Sequence, residues 1–168
     1  MLDARAIANF ILDEFDPLEN EISNKKINKL IYFGHGFSML RLQLPLITNH
    51  VEAWAHGPVV KVVYEAFKQF EFRPITARAT CFNYLTDKEE VVSYDELTDS
   101  HRQLTRKVVQ HFVRYSADDL EDMTHTQFGP WSKVWNTPVD ARGLRSRIPD
   151  EEILHFFKKK YGANTANH

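Results

Sequence analysis

Cysteine is nearly absent from this chain, since Cys81 is the only one among 168 residues. A lone cysteine cannot form an internal disulfide and cannot supply a thiolate metal cage. Long apolar runs are also missing, because no stretch approaches the roughly 18 to 20 residues that a membrane-spanning helix needs. Residues 1–10, MLDARAIANF, lack the basic start and apolar run of a signal peptide. These absences predict a protein of the reducing cytoplasm with no membrane span.

An excess of positive charge is missing as well. Lys and Arg total 21 against 23 for Asp and Glu, which gives a formal net charge of −2. A polyanion therefore finds no global electrostatic attraction here. Two short basic runs, KKINK at 25–29 and KKKYG at 158–162, are typical of solvated helix faces. Nucleic acid is not the expected partner, and a DNA-binding autoregulator is a disfavoured alternative.

The patterns that hold metals, dinucleotides or nucleophiles are not found. The eight histidines show no HxxxH, HExxH or cysteine-paired spacing, so we expect neither a metal nor another cofactor. Gly34 and Gly36 form a Gly-x-Gly inside a helical pattern without the third glycine of a dinucleotide loop, which favours close helix packing. Cys81 has no catalytic signature around it and is predicted to be a small buried residue.

What the chain does contain is apolar residues at helical spacing. Hydrophobic residues make up 43% and aromatic residues 12%, which is enough for the core of one domain. Apolar positions three and four apart predict about seven helices. Their expected first or capping residues are Asp3, Ser23, Pro58, Asp99, Ser116, Pro130 and Pro149. Asp119 would complete a capping box with Ser116, and Pro138 would end the helix that Pro130 begins.

Two regions favour β-structure. Residues 51–54, VEAW, predict a short strand that leads into a helix beginning at Gly57-Pro58. Residues 75–85 and 91–94 flank the polar TDKEE and predict a hairpin. The predicted fold is therefore α+β: a mainly helical single domain with a small antiparallel β-sheet.

Two histidines, His56 and His125, stand near tryptophans and Gly-Pro steps, and two interpretations are open. A neutral histidine beside a helix start could act as an acid or base near an anion. Alternatively, each ring bonds to nearby backbone while Trp54 and Trp131 fill the core. We favour the second, because no carboxylate at a supportive spacing is apparent. It predicts mostly buried tryptophans and both histidines at helix N-termini.

Four segments, taken in order, resemble one known family. The first two are 4–12, ARAIANFIL, and 26–37, KINKLIYFGHGF. The third carries Glu52, Ala53, Trp54, Gly57, Pro58, Val59, Val60, Val63, Tyr64 and Phe67, and the fourth carries Ser116, Ala117, Leu120, Thr124, His125, Pro130 and Trp131. Together they are similar to the Panacea domain, the family of SocA-like antitoxins and GepA-type phage-associated proteins. The resemblance reaches to about Tyr161, with Lys61 where the family often has proline.

The resemblance implies an antitoxin domain at 1–162. Residues 163–168 carry no large apolar side chains to bury and are expected to form a mobile tail. The expected role of the domain is the antitoxin of a type II-like toxin-antitoxin module that neutralises a cognate protein toxin by direct binding. The alternatives are a proteolytic adaptor that delivers the toxin to ClpXP through a ClpX-type unfoldase, and a small His-dependent enzyme. Formation of a homo-oligomer is left open.

A partner surface is expected around the predicted Gly57-Pro58 helix start, because helix starts expose backbone donors. Its candidate contact residues are His56, Lys61, His125 and Lys133. The residues expected to shape this region are Trp54, Gly57, Pro58, Tyr64, Thr124, Pro130 and Trp131.

Overall fold

Seven α-helices and five short β-strands make up the computed structural model, which describes residues 1–137 and 147–162. The helices are α1 Ala4–Glu14, α2 Asn24–Leu42, α3 Lys61–Phe67, α4 Asp99–Phe112, α5 Ala117–Thr124, α6 Pro130–Trp135 and α7 Asp150–Tyr161. The strands are β1 Val51–Trp54, β2 Gly57–Val59, β3 Thr80–Asn83, β4 Lys88–Val91 and β5 Arg147–Ile148, and a 3-10 turn spans Lys68–Phe70. The prediction of a mainly helical α+β domain with small antiparallel sheets is confirmed.

Helix α2 is the centre of the fold, and α1, α3, α4, α5 and α7 all pack against it. Its apolar residues Ile27, Leu30, Ile31 and Phe33 are almost completely buried. The Phe33 ring stacks on Phe112 of α4, with centroids 4.2 Å apart. Because most of α2 is enclosed, its polar residues must find partners inside the protein.

The Gly34–Gly36 segment packs closely against other elements, as predicted. A Cβ at Gly36 would overlap the ring of Phe157, so only glycine lets α7 lie this close to α2. Between the glycines, the buried His35 joins two further parts of the chain. Its Nδ1 accepts from the Leu46 N–H at 3.3 Å, and its Nε2 lies 3.1 Å from Asp150 Oδ1 at the start of α7.

The helix starts follow local sequence signals. Asp3 accepts from the Arg5 N–H, Ser23 accepts from the Lys26 N–H, and Ser116 forms the predicted capping box with Asp119. Pro130 begins α6, and Pro149 immediately precedes α7. Each of these starts agrees with the prediction to within a residue, because capping depends on neighbours two or three positions away.

The predicted helix start at Gly57-Pro58 is wrong. Gly57 and Pro58 belong to β2, which pairs antiparallel with β1 in the register Trp54 to Gly57, and α3 begins only at Lys61. Strand pairing with β1 is the tertiary interaction that overrides the proline signal. Another strand, β5, also pairs antiparallel with β1, so β1 lies between β2 and β5.

The predicted hairpin at 75–94 is confirmed, with shorter strands. Thr80 pairs with Val91 and Asn83 with Lys88, so β4 begins inside the polar segment that was expected to form the turn. Cys81 in β3 is only half-buried, because β3 and β4 form a two-stranded sheet with a largely exposed surface. The prediction of a buried cysteine is therefore wrong.

Some predictions fall outside the described residues. Pro138, which was expected to end α6, and the tail at 163–168 are the residues concerned, while α6 itself ends at Trp135. Within the two described ranges, no helix combines the length and apolar character that crossing a bilayer requires.

Candidate functional site

A buried lysine of α2 forms hydrogen bonds with the turn between β1 and β2. Lys29 is 1% exposed, and its ammonium donates to the backbone carbonyls of His56 and Pro58, the latter at 3.1 Å. Burial lowers the pKa of Lys29 to about 7, although nearby Glu121 opposes that shift. The neighbouring Asn28 accepts from the Val60 N–H at 2.9 Å. Two adjacent residues of α2 therefore position the hairpin.

Gly57 occupies a position in this turn that no other residue fits well. Its φ is +97°, a backbone region that side chains disfavour. A Cβ there would also lie 2.8 Å from Lys29 Nζ and 2.8 Å from Thr124 Oγ1. Gly57 therefore permits close approach of α2, the hairpin and the end of α5.

Both ambiguous histidines converge on one carboxylate, Glu121 of α5. His56 Nδ1 lies 3.3 Å from Glu121 Oε1, and His125 Nε2 lies 4.0 Å from the same oxygen. Lys25 forms ion pairs with Glu121 and, at 2.6 Å, with Asp118. Burial raises the pKa of Glu121, but hydrogen bonds from Lys25 and His56 outweigh it and hold that pKa below its ordinary value.

The histidines do not lie at helix N-termini, so that prediction is wrong. His56 is in the β1–β2 turn, and its side chain is 77% exposed. His125 caps the C-terminus of α5 and stacks on Trp131, with centroids 3.9 Å apart. Burial lowers the pKa of His125. The position of His56 follows from the hairpin, since the Gly-Pro step after it continues as a strand.

The two tryptophans differ in burial. Trp131 is 9% exposed, as predicted, and its indole N–H donates to the Trp54 carbonyl at 2.8 Å. Trp54 is less deeply buried than Trp131, with intermediate exposure, so most of its surface is covered as predicted. Its side chain alternates away from the buried Val51–Ala53 face of β1 and packs against Tyr64, with ring centroids 4.9 Å apart.

An open cavity of about 790 Å³ lies beside this cluster. Trp54, Tyr64, Val59 and the 83% exposed Phe72 contribute apolar wall, and we call these four residues the aromatic groove. Lys25, Lys29, His56, Lys68, Glu71 and Asp118 also line the cavity. The arrangement offers an apolar surface with polar groups around it, which suits binding of another molecule.

Three of the four sequence segments that suggested a family, those within 26–37, 52–67 and 116–131, thus meet at one place. The model of the family described as Antitoxin SocA-like, Panacea domain, matches residues 27–132. The chain belongs to this family. It is also 36% identical over 157 residues to Antitoxin SocA of Caulobacter vibrioides (strain NA1000 / CB15N), covering 94% of this chain and 83% of that protein. Comparison with solved structures gives no significant match.

Membership of the SocA-like, Panacea family supports an antitoxin role, and its matched region contains the whole Lys29, Gly57, Glu121 and His125 cluster. Sequence reasoning missed Lys29, Lys25 and Glu121 as site residues. The run at 25–29 was interpreted as a solvated face, yet Lys26 and Lys29 are buried. Glu121 had a detectable signal, because it precedes His125 by four residues on one helix and so shares its face.

The other two candidate contact residues lie apart from the aromatic groove of this Panacea domain. Lys61 is exposed at the first position of α3 and does not line the cavity. Lys133 of α6 forms an ion pair with Glu152 of α7 at 2.6 Å and lines a different cavity. The structure therefore brings together His56 and His125 but places Lys133 on another surface.

The Glu121 cluster offers few groups that could catalyse a reaction. The carboxylate could orient His56 as a general base, which is the second half of a catalytic triad arrangement. Ser23, the serine lining the cavity, uses its hydroxyl to cap α2. Among residues 1–137 and 147–162, no group of three or more His, Cys, Asp or Glu side chains could hold a metal ion.

Proposed function

We propose that the protein is the antitoxin of a type II-like module and neutralises its cognate protein toxin by direct binding at the aromatic groove. The supporting observation is the groove itself, in which Phe72 and Tyr64 remain accessible beside the half-buried Trp54. Aromatic side chains such as Trp and Tyr are enriched among the residues that dominate protein–protein affinity. Membership of an antitoxin family supports the role.

Several hydrogen bonds connect the base of the groove to neighbouring elements. The hairpin turn is bonded by Lys29 and Asn28, and β1 is tied to α6 by the Trp131 indole. A preformed surface loses less conformational entropy when a partner binds. The toxin would therefore meet a largely prearranged site.

The test begins with the toxin-like reading frame next to this gene, co-expressed with the antitoxin. Phe72→Ala should weaken the complex at least about tenfold, as truncation of a central aromatic contact does. Tyr84→Ala is the matched control, because Tyr84 is an 88% exposed aromatic on the β3–β4 hairpin. Growth rescue and the affinity of the purified complex are the readouts. Equal affinity of the two variants would show that the aromatic groove is not the contact surface.

The same experiment separates direct neutralisation from proteolytic delivery. Direct binding predicts rescue in cells with and without ClpXP. Rescue that requires an intact ClpXP protease would replace this mechanism with that of an adaptor contacting a ClpX-type unfoldase.

A small His-dependent enzyme is the second candidate, because His56 and Glu121 pair at 3.3 Å at the cavity. The commitment of Glu121 to Lys25 argues against it. His56→Gln distinguishes the two functions. If the protein acts by direct binding, growth rescue by this variant should follow its affinity for the toxin. If the protein acts as an enzyme, the variant should bind the toxin with unchanged affinity but no longer protect the cells.

A further inference from the structure

A second cavity, of about 460 Å³, lies between α6 and α7 beside residues 126–128. We call it the basic groove, and its lining residues are Thr126, Gln127, Phe128, Pro130, Lys133, Glu152, His155, Phe156, Lys159 and Lys160. Three lysines and one histidine thus face one carboxylate, that of Glu152. Lys133 and Glu152 neutralise each other as an ion pair at 2.6 Å. The remaining charge of the basic groove is positive.

The positive charge of this groove is not explained by the helix dipole alone. Lys158, Lys159 and Lys160 all lie in the last turn of α7, where cations are generally favourable. Lys158 lines a different cavity, whereas Lys159 and Lys160 line the groove together with Lys133 from α6. Lysines from two helices therefore converge on one concave surface.

Apolar side chains form part of the same walls. Phe128 is 77% exposed, at a φ of +61° that residues other than glycine rarely adopt. Phe156 also lines the groove, and Lys160 Nζ lies 5.4 Å from the centre of its ring. A ligand of this groove should therefore present apolar as well as negatively charged groups.

One polar atom at the groove lacks an intramolecular partner. Thr126 Oγ1 is buried and has no hydrogen-bond partner within the described part of the chain. The Thr126 carbonyl, in contrast, accepts from Gly129 N–H at 2.9 Å and Ser132 hydroxyl at 3.1 Å. A buried hydroxyl without a partner is costly, and rotation of the Thr126 side chain, which lines the groove, would present it to a ligand acceptor.

We propose that the basic groove binds an acidic segment of the toxin that also carries phenyl or aliphatic side chains. This second contact is separate from the aromatic groove. This inference rests on the proposed neutralisation by direct binding. Carboxylates of the segment would meet Lys159 and Lys160, and its apolar side chains would pack on Phe128 and Phe156. The phenyl walls and the Glu152 carboxylate favour such a segment over a nucleic-acid backbone, which would need a uniformly positive path.

Two neighbouring lysines provide a matched test on purified complexes. Lys159→Glu should weaken toxin binding at least about tenfold at low salt, with a smaller difference at high salt. Lys158→Glu makes the same change of net charge in the same helical turn but outside the groove, so it should change affinity less than about twofold. Equal effects of the two substitutions would overturn the proposal.

Thr126→Val gives an independent measurement. This substitution removes an unpartnered hydroxyl while keeping the shape of the side chain. The melting temperature should therefore be unchanged or slightly raised, while affinity for the toxin falls. Undiminished affinity in both Thr126→Val and Lys159→Glu would overturn the basic groove and leave direct neutralisation standing. If the unsubstituted protein forms no complex with the toxin, both proposals fail together.

Discussion

The ammonium of Lys29, in the second turn of α2, lies 3.1 Å from the carbonyl oxygen of Pro58 in β2. Lys29 also donates to the carbonyl of His56, and the hydroxyl of Thr124 stands at the same junction. The buried Lys29 side chain thus holds a tight turn against α2, and Gly57 lets α5 approach the same turn.

Lys29→Met should destabilise the protein by about 1–3 kcal/mol, because the carbonyls of His56 and Pro58 lose their donor in a buried place. The free energy of unfolding from denaturant titration measures the change. Lys107→Met is the control, since Lys107 is exposed on α4 and should change stability by less than about 0.5 kcal/mol. Similar values for both variants would contradict the role of Lys29 in holding the turn.

The pH dependence of stability should also report on Lys29. Its pKa is about 7 in the folded protein against 10.5 for an ordinary lysine, so the unfolded chain binds more protons between these values. Stability should therefore rise with pH from about 7 to 10.5, by at most about 1.4 kcal/mol per pH unit, and this contribution is lost as pH falls to 7. Subtracting the profile of Lys29→Met isolates the effect. A flat difference across this window would show that Lys29 remains charged when folded.

Glu121→Gln should weaken the connection between α5, Lys25 and the hairpin turn. Because the Glu121 pKa is held below its ordinary value of 4.5, its ionised form stabilises the fold above that pH. The expected loss is about 1 kcal/mol near neutral pH, and it should vanish as pH falls through the folded pKa. Asp118→Asn is the control, as Asp118 also pairs with Lys25 but is 89% exposed. Greater destabilisation by Asp118→Asn would contradict the central place of Glu121.

Gly36→Ala should cost about 1–3 kcal/mol, because the added methyl group meets the Phe157 ring and pushes α7 away from α2. The melting temperature of the variant measures this cost. Gly162→Ala is the matched control, since a Cβ at Gly162 meets no atom within 4 Å. An equal, small change in both variants would show that α2 and α7 can separate without penalty.

Much of the helical framework could be predicted, and the candidate site only in part. His56, His125, Trp54 and Thr124 were all recognised as significant, and they do lie close together. Glu121 was missed although its spacing from His125 was visible. Lys29 could not be recognised from its sequence neighbours, because a lysine in a basic run is usually solvated. It can be buried here because the carbonyl groups of the β1–β2 hairpin accept its hydrogen bonds.

The sequence by itself determined where α1, α2, α5 and α6 begin, because Asp3, Ser23, the Ser116–Asp119 pair and Pro130 act on backbone within three residues. Only the tertiary structure decided that Gly57-Pro58 extends as a strand instead of starting a helix. Its partners are β1, Lys29 and Thr124, which lie on three separate elements. The free energy of those long-range contacts outweighs a local preference of proline, and no pattern of neighbouring residues contains that information.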